Sequence, residues 1–295
     1  MSLVDDLVTI ADWLRLAATR FAAAELHYGH GTDNAWDEAV ALLRGALGLP
    51  HDKLQFVLDA RLTRKERRRV LEMIDARVGL RVPVSYLTGE AYFAGRSYRV
   101  TRDVLIPRSP IAELIEAGFE PWITQPPESI LDLCAGSGCI GIACGHRFPD
   151  ATVVLSDVDP RALAVARENV DRHGVGDRVE VVESDLFASL EGRVFDLIVT
   201  NPPYVNAEDL AAMPQEFRHE PVRALAAGLD GLDVVRRILQ EALRFLRDEG
   251  SLVGEVGASA PALLEAFPTL PFEWPLLQRG GDGVFVLHAT RLPAY

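Results

Sequence analysis

Four consecutive residues, Asn201, Pro202, Pro203 and Tyr204, have side chains that could hold a planar nitrogen for reaction. An amide or exocyclic amino nitrogen is a poor nucleophile because its lone pair is delocalised, so hydrogen-bond acceptors must hold its N–H groups. The Asn201 side-chain oxygen and the Pro202 carbonyl could be those acceptors, since two prolines after a predicted strand fix the backbone. Tyr204 could stack on the planar substrate group. The tetrapeptide therefore predicts chemistry at an amide or amino nitrogen.

A glycine-rich segment at residues 130–141, I-L-D-L-C-A-G-S-G-C-I-G, predicts a strand, a tight turn and a helix. Gly136 and Gly138 allow the backbone to pass close to a ligand, where the following helix presents free N–H groups. The spacing of Gly136, Gly138 and Gly141 also fits the dinucleotide fingerprint. The segment therefore predicts a ligand site, and taken alone it leaves nicotinamide and flavin cofactors open.

Carboxylates follow the next two predicted strands. Asp157 comes about twenty residues after the glycines, where an acid would accept hydrogen bonds from ribose hydroxyls. Asp159 is expected to cap the helix that begins at Pro160. Asp185 could contact an adenine amino group, and the alternative for it is a solvated turn carboxylate. These positions predict a nucleoside site at the same edge as the glycines.

A parallel sheet is expected to position these residues. Short β-rich runs and helical stretches alternate in the second part of the chain, which predicts helices on both faces of the sheet. The predicted strands are 129–134, 153–157, 179–183, 195–200 and 251–256, and the predicted helices are 139–146, 160–172 and 232–246.

The first part of the chain has a different periodicity. Apolar residues at three- and four-residue spacing up to about residue 80 predict a small helical domain. Its helices include 53–60 and 63–78, and the second begins with the capping-box pair Thr63 and Glu66. Residues 83–107 predict a β-hairpin with a glycine-containing turn.

Composition excludes several classes of protein. The 295 residues are 48% hydrophobic, which argues against disorder, and no stretch predicts a signal peptide or a membrane span. The formal net charge of −13 disfavours an enzyme that grips duplex DNA along its phosphates, so direct nucleic-acid binding is expected to be incidental. Three cysteines, Cys134, Cys139 and Cys144, indicate reduced thiols in a cytoplasmic protein, and their spacing predicts no metal site.

The segments D-L-C-A-G-S-G, S-D-V-D-P and N-P-P-Y, in this order, resemble the class I S-adenosylmethionine methyltransferases, and the last resembles their amino-methylating branch. Nearly the whole chain resembles the protein-glutamine N5-methyltransferases of the HemK type. Residues 105–114, L-I-P-R-S-P-I-A-E-L, resemble those family members that modify the third large-subunit ribosomal protein. Members that modify release factors carry P-R-P-D-T-E at this place.

The resemblance implies a fold, a cofactor and a partner. It implies a helical substrate-recognition domain at 1–82, a β-hairpin linker at 83–108, and a Rossmann-like, mostly parallel seven-stranded methyltransferase domain at 109–295. The cofactor would be S-adenosylmethionine, whose sulfonium drives the reaction, so no catalytic His or Cys is expected. Residues expected to contact the cofactor are Asp132, Cys134, Ala135, Gly136, Ser137, Gly138, Asp157, Asp185, Leu186 and Asn201.

Alternatives remain open at this stage. The substrate could be a release factor, or the amino group of adenine in nucleic acid, although an added recognition domain or basic groove for a flipped base is not visible. A NAD-dependent oxidoreductase or an adenosine-binding regulatory module would have no use for residues 201–204. The basic run from Arg61 to Arg69 is expected to be a solvated helix face, and the alternative is contact with ribosomal RNA or an acidic patch on the substrate.

Overall fold

The computed structural model describes residues 3–291 and divides them into two compact units. The helical unit consists of residues 3–91, Val100–Arg102 and Pro214–His219. The sheet unit consists of Tyr92–Arg99, Asp103–Met213 and residues 220–291. These units differ from the ranges predicted from sequence, because residues 83–91 and a distant segment, 214–219, both pack with the N-terminal helices.

The helical unit forms around buried apolar side chains that recur along its helices, among them Trp13, Leu42 and Ile74. The predicted capping box is confirmed, since the Thr63 side chain accepts from the Glu66 N–H and the Glu66 side chain accepts from the Thr63 N–H. The helices are α1 (Leu3–Asp6), α2 (Ile10–Ala23), α3 (Ala35–Leu47), α4 (Arg64–Leu80) and α5 (Val84–Thr88).

The helix predicted at 53–60 is wrong, because only a single 3-10 turn, Leu54–Phe56, forms there. The backbone carbonyls that follow this turn bond to the first residues of α2. The Ile10 and Ala11 N–H groups, which have no partner inside their own helix, donate to the carbonyls of Ala60 and Leu58. Residues 58–60 therefore cap the start of α2 and do not form a helix themselves.

A buried ionic cluster completes the helical unit with the segment Pro214–His219. Arg77 is almost fully buried and donates to Glu38 at 2.8 Å and to Glu216 at 3.4 Å. Glu216 is also buried, and it accepts from the His27 N–H at 3.1 Å. Because an unpaired buried charge is costly, this cluster explains why a segment from much later in the chain packs with the helices.

The hairpin is shorter than predicted. Strands β1 (Glu90–Phe93) and β2 (Arg96–Arg99) flank the two-residue turn Ala94–Gly95, whose φ angles of 45° and 72° are those of a type I′ turn. The glycine-containing turn is thus confirmed. Residues 84–88 form α5 instead of a strand, and Gly89 in the left-handed conformation ends that helix.

The sheet unit alternates strands and helices as expected. Its sheet has the order β5-β4-β3-β6-β7-β8, and only the pair β7 and β8 is antiparallel. The strands are β3 (Ser129–Leu133), β4 (Thr152–Asp157), β5 (Val179–Glu183), β6 (Phe195–Thr200), β7 (Leu246–Glu255) and β8 (Val284–His288). The helices are α6 (Ile111–Glu116), α7 (Cys139–Arg147), α8 (Pro160–His173), α9 (Ala207–Ala212), α10 (Asp233–Glu241) and α11 (Ala260–Ala266).

The expectation of seven strands needs a correction, since the described residues contain six in this sheet. Glu273 lies beside β8 and exchanges two backbone hydrogen bonds with Val286, yet it forms only an isolated bridge. Pro271 and Pro275 flank it and have no N–H to donate, so the ladder cannot extend. The predicted helix 232–246 also ends early, and β7 begins at Leu246.

Both faces of the sheet are covered by apolar layers. Ile130 belongs to one buried cluster, with Ile142 and Leu155, whereas its neighbour Leu131 belongs to the other, with Ile238. Successive residues of a strand point to opposite faces, so β3 is buried on both sides. Within residues 3–291, no helix has the length and apolar character needed to cross a membrane.

Candidate active site

A cavity of about 400 Å³ lies within the sheet unit, among the loops that follow β3, β4 and β6. From β3 the chain adds β4 and β5 on one side and then crosses to place β6 on the other. Ligands in open α/β sheets bind at such a switch point, outside the carboxyl ends of the strands. The predicted site residues on its wall are Cys134, Ala135, Gly136, Ser137, Asp157, Asp185, Leu186, Asn201 and Pro203.

The glycine loop after β3 shapes one side of the cavity. Gly136 and Gly138 have φ angles of 55° and 76°, a conformation that favours glycine. A Cβ added to Gly136 would meet no atom within 4 Å, so its Cα faces open space. A Cβ at Gly138 would lie 2.8 Å from the Leu155 side chain. Gly136 therefore leaves room for a ligand, whereas Gly138 allows α7 to pack closely on the sheet and does not line the cavity.

Asp157 closes β4 beside this loop. Its Oδ2 accepts from the Gly136 N–H at 2.8 Å and its Oδ1 accepts from the Asp159 N–H at 2.9 Å. Burial raises the pKa of Asp157. Each carboxylate oxygen keeps acceptor capacity for a ligand hydroxyl. The prediction that Asp159 caps α8 is confirmed, because its side chain accepts from the Arg161 N–H.

Asp185 and Leu186 form the wall that follows β5. The Asp185 side chain is more than half exposed and pairs with Arg237 at 3.0 Å, and the predicted adenine contact and the solvated-turn alternative both stay open. Leu186 adopts a φ of 50°, and its carbonyl accepts from the Ser184 hydroxyl at 2.7 Å. The Ser184 hydroxyl in turn accepts from the Ser189 N–H, which holds this turn in place.

Asn201 follows β6 at the junction with β3. The Thr200 hydroxyl donates to the Leu133 carbonyl at 2.7 Å, which ties the ends of these two strands together. Asn201 is one of the residues that line the cavity. Its Oδ1 is buried and has no hydrogen-bond partner among residues 3–291. Buried polar atoms in proteins are almost always paired, so this oxygen is suited to accept from a bound molecule.

Tyr204 and Pro202 do not line the cavity. The Tyr204 hydroxyl donates to Glu255 Oε1 at 2.7 Å, and its carbonyl accepts from the Ser259 hydroxyl at 2.7 Å. Burial, followed by the charge of Glu255, raises the pKa of Tyr204. The hydroxyl and the carbonyl of Tyr204 both bond to the protein, and the stacking predicted for its ring stays a prediction.

Asp132 likewise lies behind the wall. Its side chain is fully buried, and its Oδ2 accepts from the Gly141 N–H at 2.7 Å. Burial raises the pKa of Asp132 to about 8. The structure therefore places Asp132 as a support for the start of α7, one layer away from the cavity where it was expected.

Sequence reasoning missed three further parts of the wall, which are residues within 103–109, residues within 221–226, and Val234 and Arg237 of α10. Arg108 lies on this wall and forms two hydrogen bonds with the buried Glu220, at 2.6 and 2.9 Å. The segment around Arg108 was singled out only by resemblance, and nothing in its composition indicates a cavity. Its position depends on contacts with residues more than a hundred positions later.

The cysteines are held as thiols. Burial raises the pKa of Cys134, Cys139 and Cys144. Thiols in this state are weak nucleophiles and weak metal ligands. Among residues 3–291, no three His, Cys, Asp or Glu side chains are grouped as a metal site would require.

Comparisons with known proteins agree with this architecture. Residues 123–265 match the family model described as "Methyltransferase small domain". The ribosomal protein uL3 glutamine methyltransferase of Francisella tularensis subsp. tularensis is 44% identical, covering 99% of this chain and 94% of its own. That of Bordetella pertussis is 46% identical, covering 97% of each chain. The solved hMettl16 catalytic domain, in complex with MAT2A 3′UTR hairpin 6, is 18% identical, covers 76% of this chain and 80% of its own, and has a TM-score of 0.49, too distant to bear on function.

Similarity to the curated relatives thus extends over both units and includes every segment that lines the cavity. The chain belongs to the family of ribosomal protein uL3 glutamine methyltransferases, which are S-adenosylmethionine-dependent enzymes.

Proposed function

We propose that this protein transfers a methyl group from S-adenosylmethionine to the side-chain amide nitrogen, N5, of a glutamine in ribosomal protein uL3. The observation that carries the proposal is the buried Oδ1 of Asn201, which has no partner among the residues that the structure describes and belongs to the wall of a cavity suited to a nucleoside. The names of the two near-full-length relatives support the choice of uL3. Since uL3 is a ribosomal protein, we place the reaction in the cytoplasm.

The cavity wall fits S-adenosylmethionine. When bound, this cofactor supplies an electrophilic methyl group on a positively charged sulphur. Asp157 would accept hydrogen bonds from the ribose hydroxyls, and the open space at Gly136 would admit the rest of the molecule against the backbone. Asp185 and Leu186 would contact the adenine ring. A volume of about 400 Å³ is within the range of cofactor sites.

Asn201 would orient the substrate amide. Its Oδ1 would accept from one N–H of the glutamine side chain. The Pro202 carbonyl, although Pro202 itself is not among the residues that line the cavity, would accept from the other N–H. Held in this way, the nitrogen presents the face of its π system to the methyl group, and the reaction is accelerated by orientation. As the bond from the amide nitrogen to the methyl carbon forms, the bond from that carbon to the sulphur would break and leave a neutral thioether. The nitrogen would lose its proton to water only as the N–C bond forms, so no histidine or cysteine would be required as a base.

The test is methylation of a purified substrate with isotope-labelled S-adenosylmethionine. We expect label on one glutamine of uL3, located by peptide mass spectrometry, and none with the Asn201→Ala variant. A peptide chain release factor and a ribosomal RNA fragment are offered in parallel under the same conditions. Label on the release factor, with uL3 unlabelled, would overturn the choice of substrate, and label on adenine would overturn the choice of acceptor.

A further inference from the structure

Glu255, the last residue of β7, holds two segments of the cavity wall. Its carboxylate is buried, with 5% of the residue exposed. Oε1 accepts from the Tyr204 hydroxyl at 2.7 Å, and Oε2 accepts from the Ser109 hydroxyl at 2.6 Å. Tyr204 ends the loop that contains Asn201, and Ser109 ends the wall segment 103–109. One carboxylate therefore joins the loop that contains Asn201 to the wall segment 103–109.

Tyr204 has further contacts besides its bond to Glu255. The Ser259 hydroxyl donates to its carbonyl at 2.7 Å. A Cβ at Gly257 would lie 2.7 Å from the Tyr204 ring, and a Cβ at Gly231 would overlap the Tyr204 carbonyl, so only glycines fit at these two positions. The carboxyl group of Glu255, with the hydroxyls of Ser109 and Tyr204 that bond to it, is called the clamp. The loop is thus fixed at Thr200 by the sheet and at Tyr204 by the clamp, and Asn201 lies between these two points.

The two hydrogen bonds use both oxygens of the Glu255 carboxyl group. A carboxylate can accept from two hydroxyls at once, whereas an amide has a single acceptor oxygen. Burial raises the pKa of Glu255, and the hydrogen bonds from Ser109 and Tyr204 and the charge of Arg108 oppose this effect. A buried carboxylate destabilises the fold unless it is fully paired, so its presence here indicates a specific structural demand.

We propose that Glu255 is a positioning residue for methyl transfer, whose carboxylate joins Ser109 to Tyr204 and thereby fixes Asn201 relative to the cofactor cavity. The assay of this role rests on the proposed function, since it measures that reaction. The geometry itself does not, because the two hydrogen bonds exist whatever the substrate is.

Kinetics of three variants test the role. Glu255→Gln and Tyr204→Phe should each lower kcat about tenfold or more, with the dissociation constant of S-adenosylmethionine within about threefold of wild type. The double variant should be no slower than the slower single variant, because both lose the same hydrogen bond. Ser109→Ala should lower kcat less, since Tyr204 keeps its partner. The proposal would be overturned if the two single variants kept the kcat of wild type. It would also be overturned if the loss of kcat in the double variant equalled the product of the losses in the single variants.

Matched controls separate the role from general destabilisation. Tyr98→Phe makes the same chemical change at a fully buried tyrosine whose hydroxyl has no hydrogen-bond partner among residues 3–291. Ser251→Ala removes a buried hydroxyl from the same strand as Glu255, where it is bonded to a histidine. Both should leave kcat at the wild-type value. Loss of activity in these controls equal to that in the clamp variants would contradict positioning.

Hydrogen exchange gives a readout that does not depend on the substrate. The Val205 N–H, directly after Tyr204, donates to the Leu225 carbonyl at 2.8 Å. Amide exchange of the peptide that contains Val205 should accelerate about tenfold in Glu255→Gln and Tyr204→Phe, and not in the Tyr98→Phe control. If wild type fails to methylate uL3, the proposed function falls, and this exchange still decides whether Glu255 fixes the loop that contains Asn201. Equal exchange in all variants would overturn the proposal.

Discussion

At the residue scale, the chemistry depends on one oxygen atom. The Asn201 Oδ1 is a buried acceptor that has no hydrogen-bond partner in the described part of the chain, which costs stability. Such a cost is consistent with a site that exchanges stability for function. The backbone that carries this atom is supported at both ends, by a strand before it and by the Tyr204 contacts after it.

The first prediction concerns Asn201→Ala. We expect kcat to fall by about 10² to 10³, since a preorganised hydrogen bond to the reacting group is lost. The affinity for S-adenosylmethionine, measured by calorimetry, should stay within about threefold, since Asp157 and the glycine loop are untouched. Asn206→Ala, which removes only the cap of α9, is the control and should retain full activity. Retention of turnover by Asn201→Ala would contradict the assigned mechanism.

A second prediction concerns Asp132 and pH. Its folded pKa of about 8 is above the ordinary 3.8, so its neutral form stabilises the fold. That contribution is complete below about pH 4 and is lost as the pH rises towards 8, at up to about 1.4 kcal/mol per pH unit. Asp132→Asn mimics the neutral acid and keeps an acceptor for Gly141. Urea unfolding at pH 5 and pH 7.5 should therefore show wild type losing stability relative to the variant. Parallel changes would show that Asp132 is charged in the fold.

The predicted site residues that lie on the cavity wall include two that stand at strand ends. Asp157 and Asn201 come at the first position after or at the end of a strand, where geometry is local. The role of Tyr204 was not predictable because its partner, Glu255, lies on a different strand. Asp132 lies within β3, one residue before the wall begins at Leu133, and its side chain bonds to the Gly141 N–H in α7.

At the element scale, α7 shows how closely a helix must approach the sheet. A Cβ at Gly141 would overlap the side chains of Leu155 and Asp132, whereas a Cβ at Gly145, one turn later, would make ordinary contact with Val153 at 3.5 Å. Both glycines are buried in the same helix. Their surroundings therefore differ more than their sequence context suggests.

A third prediction compares these glycines. Gly141→Ala should lower the free energy of unfolding by about 1–3 kcal/mol, because α7 must shift outward. Gly145→Ala should be neutral or stabilising by up to about 1 kcal/mol, because alanine favours the helix. Urea denaturation at a fixed pH measures both. A similar loss of stability in the two variants would show that helix flexibility, and not the approach to Leu155, requires Gly141.

The sequence predicted helices and strands well where the pattern of apolar residues alone decides the structure. It failed where the backbone of a segment bonds to another element. The bounds of β4, β5 and β6 match their apolar runs almost residue for residue. Residues 53–60 have a helical pattern, and yet their carbonyls serve the first turn of α2. Residues 84–88 have a β-rich composition, but the left-handed Gly89 ends a helical turn there.

At the scale of the whole molecule, each unit has its own core, and the ionic cluster around Arg77 is part of the helical one. Glu38 and Glu216 come from different parts of the chain and pair with the same guanidinium. Breaking a buried pair by removing one partner leaves an uncompensated charge.

The fourth prediction follows from this cluster. Arg77→Ala should destabilise the helical unit by about 3–5 kcal/mol, because the buried Glu38 loses the guanidinium that it pairs with and Glu216 loses one of its two. Arg81→Ala is the control, since Arg81 is partly exposed and lies 3.5 Å from Glu216, and it should cost about 1 kcal/mol or less. Hydrogen exchange of α2 to α4 measures the change within the helical unit. Equal protection in the two variants would show that the Arg77 cluster is not needed for that unit.

The division of the chain into units has a consequence for the order of events during synthesis. Domains generally fold as they leave the ribosome, N-terminal first. Here the helical unit contains Pro214–His219, which are made after β3, β4, β5 and β6. Until then Arg77 lacks one of its two carboxylate partners. The N-terminal helices of this enzyme should therefore reach their final protection against a protease only late in translation, after most of the sheet has emerged.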